Sequence, residues 1–300
     1  MLKEKVGYDG GIVDMNDKHG LIEQHGYIKQ QQDGLYAIRV RTIAGNLTSF
    51  QLHNLADLSD RYGNGQVHIT TRQSVELHWI PEKKLDSIFQ EINELGLLLA
   101  VRGPRILTVI ACPGIRLCKK GICNTRNLAT QLDALMVGRS QPSKTKIALS
   151  GCPNSCAKPQ INDIGLHGVI VPTADSGCSG CKSCENVCKF KAISVQNGKP
   201  HIAVEKCIGC GLCVRICPNH ALHIHKQGYS LYIGGKIGRK PILGNKIFAV
   251  IPEQEATSYI EIVLHVYNQL AYKNERIGDV INRIGLNSFL QEILQHVPEG

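Results

Sequence analysis

The chain has 300 residues, a formal net charge of +9 and 13 cysteines. Its content of 43% hydrophobic and 20% charged residues is ordinary for a folded globular protein and excludes a largely disordered chain. The positive charge suggests an anionic partner, but only 5% of the residues are aromatic and no basic helix is evident, which argues against nucleic acid.

The first residues, MLKEKVGYDGG, lack the apolar run of a signal peptide. No stretch reaches the roughly 18 consecutive apolar residues that a membrane span needs. We therefore expect a cytoplasmic protein with no membrane partner. In a reducing compartment, a high cysteine count points to metal or cluster ligation rather than to disulfides.

Residues 1–33 show no clear periodicity, and we interpret them as an N-terminal arm. After Gly34, LYAIRVRTI alternates as a strand does, and QVHITTRQSVELHWI is rich in β-branched residues and predicts one or two strands. Two segments have helical spacing, TSFQLHNLADLSDRYG, with Phe50, Leu52, Leu55 and Leu58 as its apolar positions, and KKLDSIFQEINELGL. This order predicts a small α+β unit over residues 34–100, with helices covering one face of a sheet.

Arg39 and Arg41 lie two residues apart in the first predicted strand, so their side chains point to the same face. They alternate with Ile38 and Val40, which leaves that face of the sheet basic where a ligand could rest. Spacing alone favours this interpretation no more than a pair of ordinary surface arginines.

Two cysteine pairs follow predicted strands. Leu107–Ala111 leads into ACPGIRLCKKGIC, which holds Cys112 and Cys118, and KIALSG leads into SGCPNSCAKP, which holds Cys152 and Cys156. A helix is predicted between them, over Thr125–Gly138. Four thiolates satisfy one 4Fe-4S cluster, and the spacings differ from zinc knuckles and from thioredoxin-type dithiols. The alternative is two pairs of buried cysteines that act as small hydrophobes.

Lysines and glycines near these pairs are weaker signals. Lys144 and Lys146 lie two residues apart just before Cys152, and they could bind an anion or simply be solvated. The glycine-rich turn YIGGKIGRK, with Lys236 and Arg239, is more often only a turn. Cys123 fits no ligand set, and we interpret it as a buried thiol.

Residues 173–224 contain an internal repeat, two copies of C-x2-C-x2-C-x3-C. The cysteines are Cys178, Cys181, Cys184 and Cys188, then Cys207, Cys210, Cys213 and Cys217. This is the signature of bacterial two-cluster ferredoxins, in which the fourth cysteine of each run binds the other cluster. The pattern therefore predicts one 4Fe-4S cluster on Cys188 with the first three cysteines of the second run, and another on Cys217 with the first three of the first run. Zinc or disulfides are a minor alternative.

The C-x5-C and SGCPNSCAK motifs, GNGQVHITTRQ and the arginines of AIRVR resemble the siroheme-containing sulfite and nitrite reductases. The ferredoxin insertion narrows the resemblance to the siroheme subunit of anaerobic sulfite reductase and to the dissimilatory sulfite reductase subunits. The resemblance implies an α+β fold with three parts. They are a ferredoxin-like half domain (34–100), a siroheme and 4Fe-4S binding domain (101–172 and 225–300), and an inserted domain with two 4Fe-4S clusters (173–224).

The resemblance also implies roles for individual residues. Cys112, Cys118, Cys152 and Cys156 would hold a third 4Fe-4S cluster, with Cys156 bridging to the siroheme iron. The substrate-site cations would be Arg39, Arg105, Lys144 and Lys146. The residues around the macrocycle would be Arg41, His68, Thr70, Thr71, Arg72, Gln73, Asn154, Lys236 and Arg239. His68 stands where family members frequently have arginine.

The function implied is six-electron reduction of sulfite to sulfide, with electrons fed through the two ferredoxin clusters. Nitrite reduction to ammonia is one alternative, although the presence of both Lys144 and Lys146 favours sulfite. A second alternative is an electron-transfer subunit without catalysis of its own. A single half-unit predicts a homodimer, and flavin and iron-sulfur donor subunits are further expected partners.

Overall fold

Two five-stranded β-sheets, one in the N-terminal third of the chain and one in the remainder, organise the protein, whose computed structural model describes residues 26–297. The first sheet contains five antiparallel strands in the order β1-β2-β4-β3, with β5 also paired to β2. The strands are β1 (Tyr27–Lys29), β2 (Leu35–Arg41), β3 (Val67–Ile69), β4 (Val75–Pro81) and β5 (Leu98–Leu99). Helices α1 (Ser49–Tyr62) and α2 (Leu85–Glu94) pack on this sheet.

The core of this unit matches most of the predicted apolar pattern. Leu55 and Leu58 of α1 and Ile88 and Ile92 of α2 are buried against strand residues such as Ile38. Thr48 and Gln51 form a reciprocal capping box that begins α1. Phe50 and Leu52, the other apolar positions of this predicted helix, are instead 66% and 49% exposed.

The predicted N-terminal arm requires a correction. Residues 1–25 of it lie outside the described residues, but Tyr27–Lys29 pairs with β2 through Tyr27 and Ile38. Tyr27 is buried, and burying its ring gains free energy that an irregular arm would forgo. The half domain therefore begins before Gly34.

The second sheet has the order β12-β11-β8-β7-β6. Its strands are β6 (Ile110–Ala111), β7 (Ile147–Ser150), β8 (Ile164–Ala174), β11 (Leu222–Ile233) and β12 (Asn245–Ile251). Strands β6, β7 and β8 are parallel, whereas β8, β11 and β12 are antiparallel. One core joins this sheet to helices α3 (Thr125–Met136), α6 (Ala256–Leu270), α7 (Ile277–Ile284) and α8 (Leu286–Leu294).

A small insertion leaves this sheet between neighbouring strands. Strand β8 ends opposite the start of β11, where Ala174 pairs with Leu222, so residues 175–221 form an excursion that does not interrupt the sheet. The excursion contains α4 (Ser183–Val187), β9 (Ile193–Gln196), β10 (Lys199–Ile202) and α5 (Leu212–Ile216). Its own small core includes Cys184 and Ile193. In residues 26–297, no helix has the length and apolar character to cross a membrane.

Hydrogen bonds from the turn between β3 and β4 join the half domain to the second sheet. The Gln73 side chain donates to the carbonyl oxygen of Ala111 at 2.8 Å and accepts from its backbone N–H at 2.9 Å. Arg72 donates to the carbonyl oxygen of Thr108 at 2.7 Å and to Oδ1 of Asn162 at 2.9 Å. Burial lowers the pKa of Arg72 to about 10. Both side chains thus hold the segment that leads into Cys112.

A buried ion pair fixes the start of β8 to the C-terminal helices. Arg276 donates to the two carboxylate oxygens of Asp163 at 2.8 and 2.6 Å, and Asp163 also accepts the backbone N–H of Lys146 at 2.8 Å. The side chains of Asp163 and Arg276 are 1% and 10% exposed. Removing one partner of such a pair leaves the other charge buried without compensation.

We expect Asp163→Ala to lower the free energy of unfolding by about 3–5 kcal/mol, because it strands the Arg276 charge in the interior. Asp57→Ala is the matched control. It removes a carboxylate from the exposed pair with Arg61, and surface pairs contribute about 1 kcal/mol or less. Urea denaturation measures both variants. Equal losses in the two would contradict the structural weight that we give to Asp163.

Candidate functional site

The four cysteines of the C-x5-C and C-x3-C motifs meet at one edge of the second sheet. Cys112 directly follows β6 and Cys152 lies just after β7, and these strands are parallel neighbours. The backbone N–H of Gly151 donates to Sγ of Cys112 at 3.1 Å. Burial raises the pKa of Cys152, and the nearby thiols of Cys112, Cys118 and Cys156 raise it further. The four sulfurs are therefore close enough to influence each other electrostatically.

The exposure of these cysteines changes across the group. Cys152 is buried and Cys112 partly buried, whereas Cys118 and Cys156 are exposed. The group of four thiols thus extends from the interior to the surface. Such a donor set fits an iron-sulfur cluster, since each iron takes one thiolate. Among the described residues, no three His, Cys, Asp or Glu side chains are grouped closely enough to hold a single metal ion.

Glycines allow the loop between Cys112 and Cys123 to fold tightly. A Cβ at Gly121 would lie 2.5 Å from Cα of Ile115, and one at Gly114 would lie 2.4 Å from Oγ1 of Thr125. Gly114 also has a positive φ of 62°, which favours glycine. Backbone hydrogen bonds from Cys118 to Gly114 and from Gly121 to Cys118 close a turn on each side of Cys118.

A buried polar network supports the loop between Cys152 and Cys156. Ser155 has a φ of 53°, and its Oγ lies 3.1 Å from Nδ1 of His167 and accepts a hydrogen bond from Gln160 at 2.9 Å. The hydroxyl of Tyr232 lies 3.4 Å from the other ring nitrogen of His167. Burial, with a smaller effect of Lys246, lowers the pKa of His167 to about 4. The imidazole is therefore neutral at physiological pH.

The structure pairs most of the predicted substrate-site and macrocycle cations with protein groups. Arg39 donates to Glu76 at 2.6 Å, buried Arg41 lies 3.4 Å from Asp133, and Arg105 donates to the carbonyl oxygen of Gly138 at 2.8 Å. Lys236 forms an ion pair with Asp279. Within residues 26–297, Nη1 of Arg41, Oδ1 of Asp133 and Nε of Arg72 are buried and have no hydrogen-bond partner.

Lys144 and Lys146 differ in their surroundings. Lys144 is exposed, whereas Lys146 is partly buried and lies next to β7. Burial lowers the pKa of Lys146, and the positive charges of Arg72, Arg276 and Lys144 lower it further. A lysine with a lowered pKa gives up its proton more readily than an ordinary one.

The remaining predicted macrocycle residues fall into two groups. His68, Thr71, Asn154 and Arg239 are exposed at the surface. His68 stacks on His78 with ring centroids 5.6 Å apart. Thr70, in contrast, accepts the backbone N–H of Ser74 at 3.0 Å, and Arg72 and Gln73 bind the backbone of the second sheet. Thr70, Arg72 and Gln73 therefore bind protein groups, which gives them a structural function.

The cysteines of the insertion line two cavities. Cys188, Cys207, Cys210 and Cys213 line what we call the first cavity, whose empty volume is about 410 Å³ with solvent-facing space included. Cys178, Cys181, Cys184 and Cys217 line the second cavity, with about 330 Å³. Each cavity therefore combines three cysteines of one run with the fourth cysteine of the other run.

The sequence analysis did not identify the polar residues that hold the predicted site residues and the cysteine loops in place. They are Glu76, Asp133, Gln160, Asp163, His167, Arg215, Tyr232 and Arg276. Several are single polar residues in apolar segments, such as His167 within IGLHGVIV. That isolation is a usable signal, because a lone polar residue in a buried strand needs a partner.

Comparison with known proteins gives a consistent result. The model of the nitrite/sulfite reductase ferredoxin-like half domain matches residues 27–95, and that of the nitrite and sulphite reductase 4Fe-4S domain matches residues 102–299. A coenzyme F420-dependent sulfite reductase of Methanocaldococcus jannaschii is 36% identical over 90% of this chain, which spans 44% of that relative. One of the subunits of the anaerobic sulfite reductase of Salmonella typhimurium is 29% identical over 62% of this chain and 50% of its own length.

Relatives of the dissimilatory type are similar over most of the chain. The crystal structure of dissimilatory sulfite reductase I superposes with a TM-score of 0.71 at 21% identity, covering 89% of this chain and 72% of that one, and it supports the same fold. The beta subunit of dissimilatory-type sulfite reductase from Archaeoglobus fulgidus is 25% identical over 93% of this chain and 84% of its own length.

The buried imidazole of His167 gives a pH prediction. The pKa of His167 is about 4 in the folded protein and about 6.5 in an unfolded chain, so the unfolded chain binds more protons between these values. We expect the contribution of neutral His167 to the free energy of unfolding to be fully present above pH 6.5. It should decrease by up to about 3 kcal/mol as the pH approaches 4. His167→Gln should remove this part of the acid sensitivity. Unfolding measured from pH 7.5 to 5 tests it, and identical pH profiles for both proteins would contradict it.

Proposed function

Because this chain belongs to the nitrite and sulphite reductase family, we propose that it reduces sulfite to sulfide at a siroheme coupled to a 4Fe-4S cluster. The observation that carries the proposal is the convergence of Cys112, Cys118, Cys152 and Cys156 at the ends of β6 and β7. Relatives named sulfite reductases support the reaction class. The chain spans less than half of the coenzyme F420-dependent sulfite reductase.

The residues of the site fit the cofactors that the family implies. We propose that the four cysteines would hold the cluster and that Cys156, which is exposed, would also bind the siroheme iron. His68, Thr71, Asn154 and Arg239 are exposed and could contact the macrocycle and its carboxylates. The coupled siroheme and cluster would supply electrons to the bound anion.

Positive side chains would bind the anion and supply protons. Sulfite loses three oxygens while it gains six electrons, and each oxygen that leaves as water requires two protons. Lys146 suits proton donation because its pKa is lowered by burial and by its cationic neighbours. Arg39 is kept in place by Glu76 and would bind the anion together with Arg105 and Lys144. At an effective dielectric near 20, charges about 4 Å apart interact by roughly 4 kcal/mol before desolvation.

The clusters of the insertion would pass electrons to the site at Cys112. We propose one 4Fe-4S cluster in the first cavity and another in the second, each with four cysteines. This makes three clusters in the chain together with the one at Cys112. An electron-transfer subunit without catalysis would retain the insertion clusters but lack siroheme, so the cofactor content distinguishes the two functions.

The proposed function also includes an assembly of more than one chain. The chain matches one half domain and one 4Fe-4S domain, and relatives of similar architecture are named as subunits. We propose a homodimer, with flavin or iron-sulfur subunits as further candidates for the electron donor. Sedimentation of the purified protein tests the dimer, and a monomer with full activity would contradict it.

Cofactor content is the first test of the proposed function. Protein purified without oxygen from a host that makes siroheme should show siroheme absorption bands and about twelve non-haem irons per chain, since each of three cubane clusters contains four. Turnover with sulfite and with nitrite then identifies the substrate. Iron for two clusters without siroheme would overturn the reductase proposal in favour of the electron-transfer subunit.

Replacement of Lys146 tests its part in the reaction. Lys146→Ala should lower sulfite turnover by about tenfold or more, in the range by which general acids accelerate reactions, while the siroheme bands and iron content stay unchanged. Lys83→Ala, an exposed lysine next to α2 in the half domain, is the matched control and should retain turnover. Wild-type turnover in Lys146→Ala would reject a role for this lysine in the reaction.

A further inference from the structure

We propose that the two cavities of the insertion work in series, and that Arg215 positions the first cavity against the cysteine site of the second sheet. This inference rests on the proposed function. The first cavity would be the inner relay, next to the cluster of Cys112, and the second cavity would be the outer one, which receives electrons from the donor. The order follows from the contacts that each cavity makes with the rest of the protein.

Arg215 joins the insertion to the loop that carries Cys118. It lies on α5, two residues after Cys213 of the first cavity. Its guanidinium donates to the carbonyl oxygen of Lys119 at 2.5 Å and to that of Gly121 at 3.0 Å. Lys119 is bonded directly to Cys118, so a short path of bonds and one hydrogen bond links a cysteine of the first cavity to a cysteine of the site.

The loop of the first cavity also packs directly on β8. The backbone N–H of Ile170 donates to the carbonyl oxygen of Gly209 at 3.0 Å. A Cβ at Gly209 would lie 2.9 Å from the carbonyl oxygen of Ile170, and one at Gly211 would lie 2.9 Å from Cδ1 of the same residue. These glycines let the backbone between Cys207 and Cys213 approach the strand closely.

Strand β8 also lies close to the loop that carries Cys152. A Cβ at Gly168, two residues before Ile170, would lie 2.4 Å from the carbonyl oxygen of Gly151, which directly precedes Cys152. Val214 of α5 contacts both the main core and the small core of the insertion. The loop of the first cavity and the loop that carries Cys152 therefore contact β8 at positions two residues apart.

The second cavity has different surroundings. Its lining residues belong to the insertion except for Leu222, the first residue of β11, and Cys181 is exposed. The first cavity likewise includes one residue of the sheet, Pro172 of β8, but its segment also binds Ile170 and, through Arg215, the Cys118 loop. Electron transfer slows steeply with distance, so the outer position suits the second cavity for contact with a donor and the inner position suits the first cavity for delivery.

Each transfer moves one electron and leaves the balance of atoms unchanged. The clusters that the cavities would hold would each accept and release one electron, with an external one-electron reductant as the source at the second cavity. Each reoxidation would be matched by one reduction, first at the first cavity and then at the cysteines around Cys112. Six such passages would supply one sulfite.

Magnetic coupling between reduced clusters tests the order. In the full-length protein reduced with dithionite, electron paramagnetic resonance should show spin-spin splitting between the first-cavity cluster and the cluster at Cys112. Cys181→Ala, which removes a ligand of the second cavity, should keep this splitting, and Cys210→Ala, which removes a ligand of the first cavity, should lose it. The opposite result would overturn the order.

The positioning role of Arg215 is tested separately. Arg215→Ala should weaken the splitting without loss of iron, because the hydrogen bonds to the Cys118 loop are gone, and Arg215→Lys should restore part of it. Arg126→Ala, an exposed arginine on α3, is the matched control and should behave as wild type. Unchanged splitting in Arg215→Ala would reject this role. Wild-type protein without siroheme would instead overturn the proposed function, and cluster coupling would still report the order.

Discussion

Parallel pairing of β6 with β7 is the constraint on which the rest of the site depends. Because the two strands run in the same direction, the cysteines that follow them arrive at one edge of the sheet, although they are about forty residues apart in sequence. Gln73 then holds the backbone of Ala111 from the half domain. The half domain is thus fixed to the strand that leads into Cys112.

Charge compensation distinguishes the predicted substrate-site and macrocycle cations from one another. Arg39, Arg41 and Lys236 each have an acidic partner. Lys146 lies near three cations and one carboxylate, and burial together with the cations lowers its pKa. A paired arginine keeps its charge and its orientation, which suits binding of an anion. A lysine among cations loses its proton more readily, which suits donation. The same excess of positive charge therefore supports two different tasks.

The insertion combines independence with close contact. It has a small core of its own and leaves the sheet between two strands that remain paired, so it adds two cysteine-lined cavities without disturbing the larger domain. Close contact comes from glycines at positions where any side chain would collide with β8, and from the two hydrogen bonds of Arg215. A separate carrier domain would have neither.

The sequence by itself determined the helices and strands with strong periodicity, the cysteine pairs that follow β6 and β7, the repeat of the insertion and the family. These features are local, since spacing along the chain decides them. It did not determine that Tyr27–Lys29 joins the first sheet, that Phe50 is exposed, or that Arg72 and Gln73 bind backbone of the other domain. Only the tertiary structure decided these features, because each depends on how segments far apart in sequence pack together. Spacing along the chain carries no information about that packing.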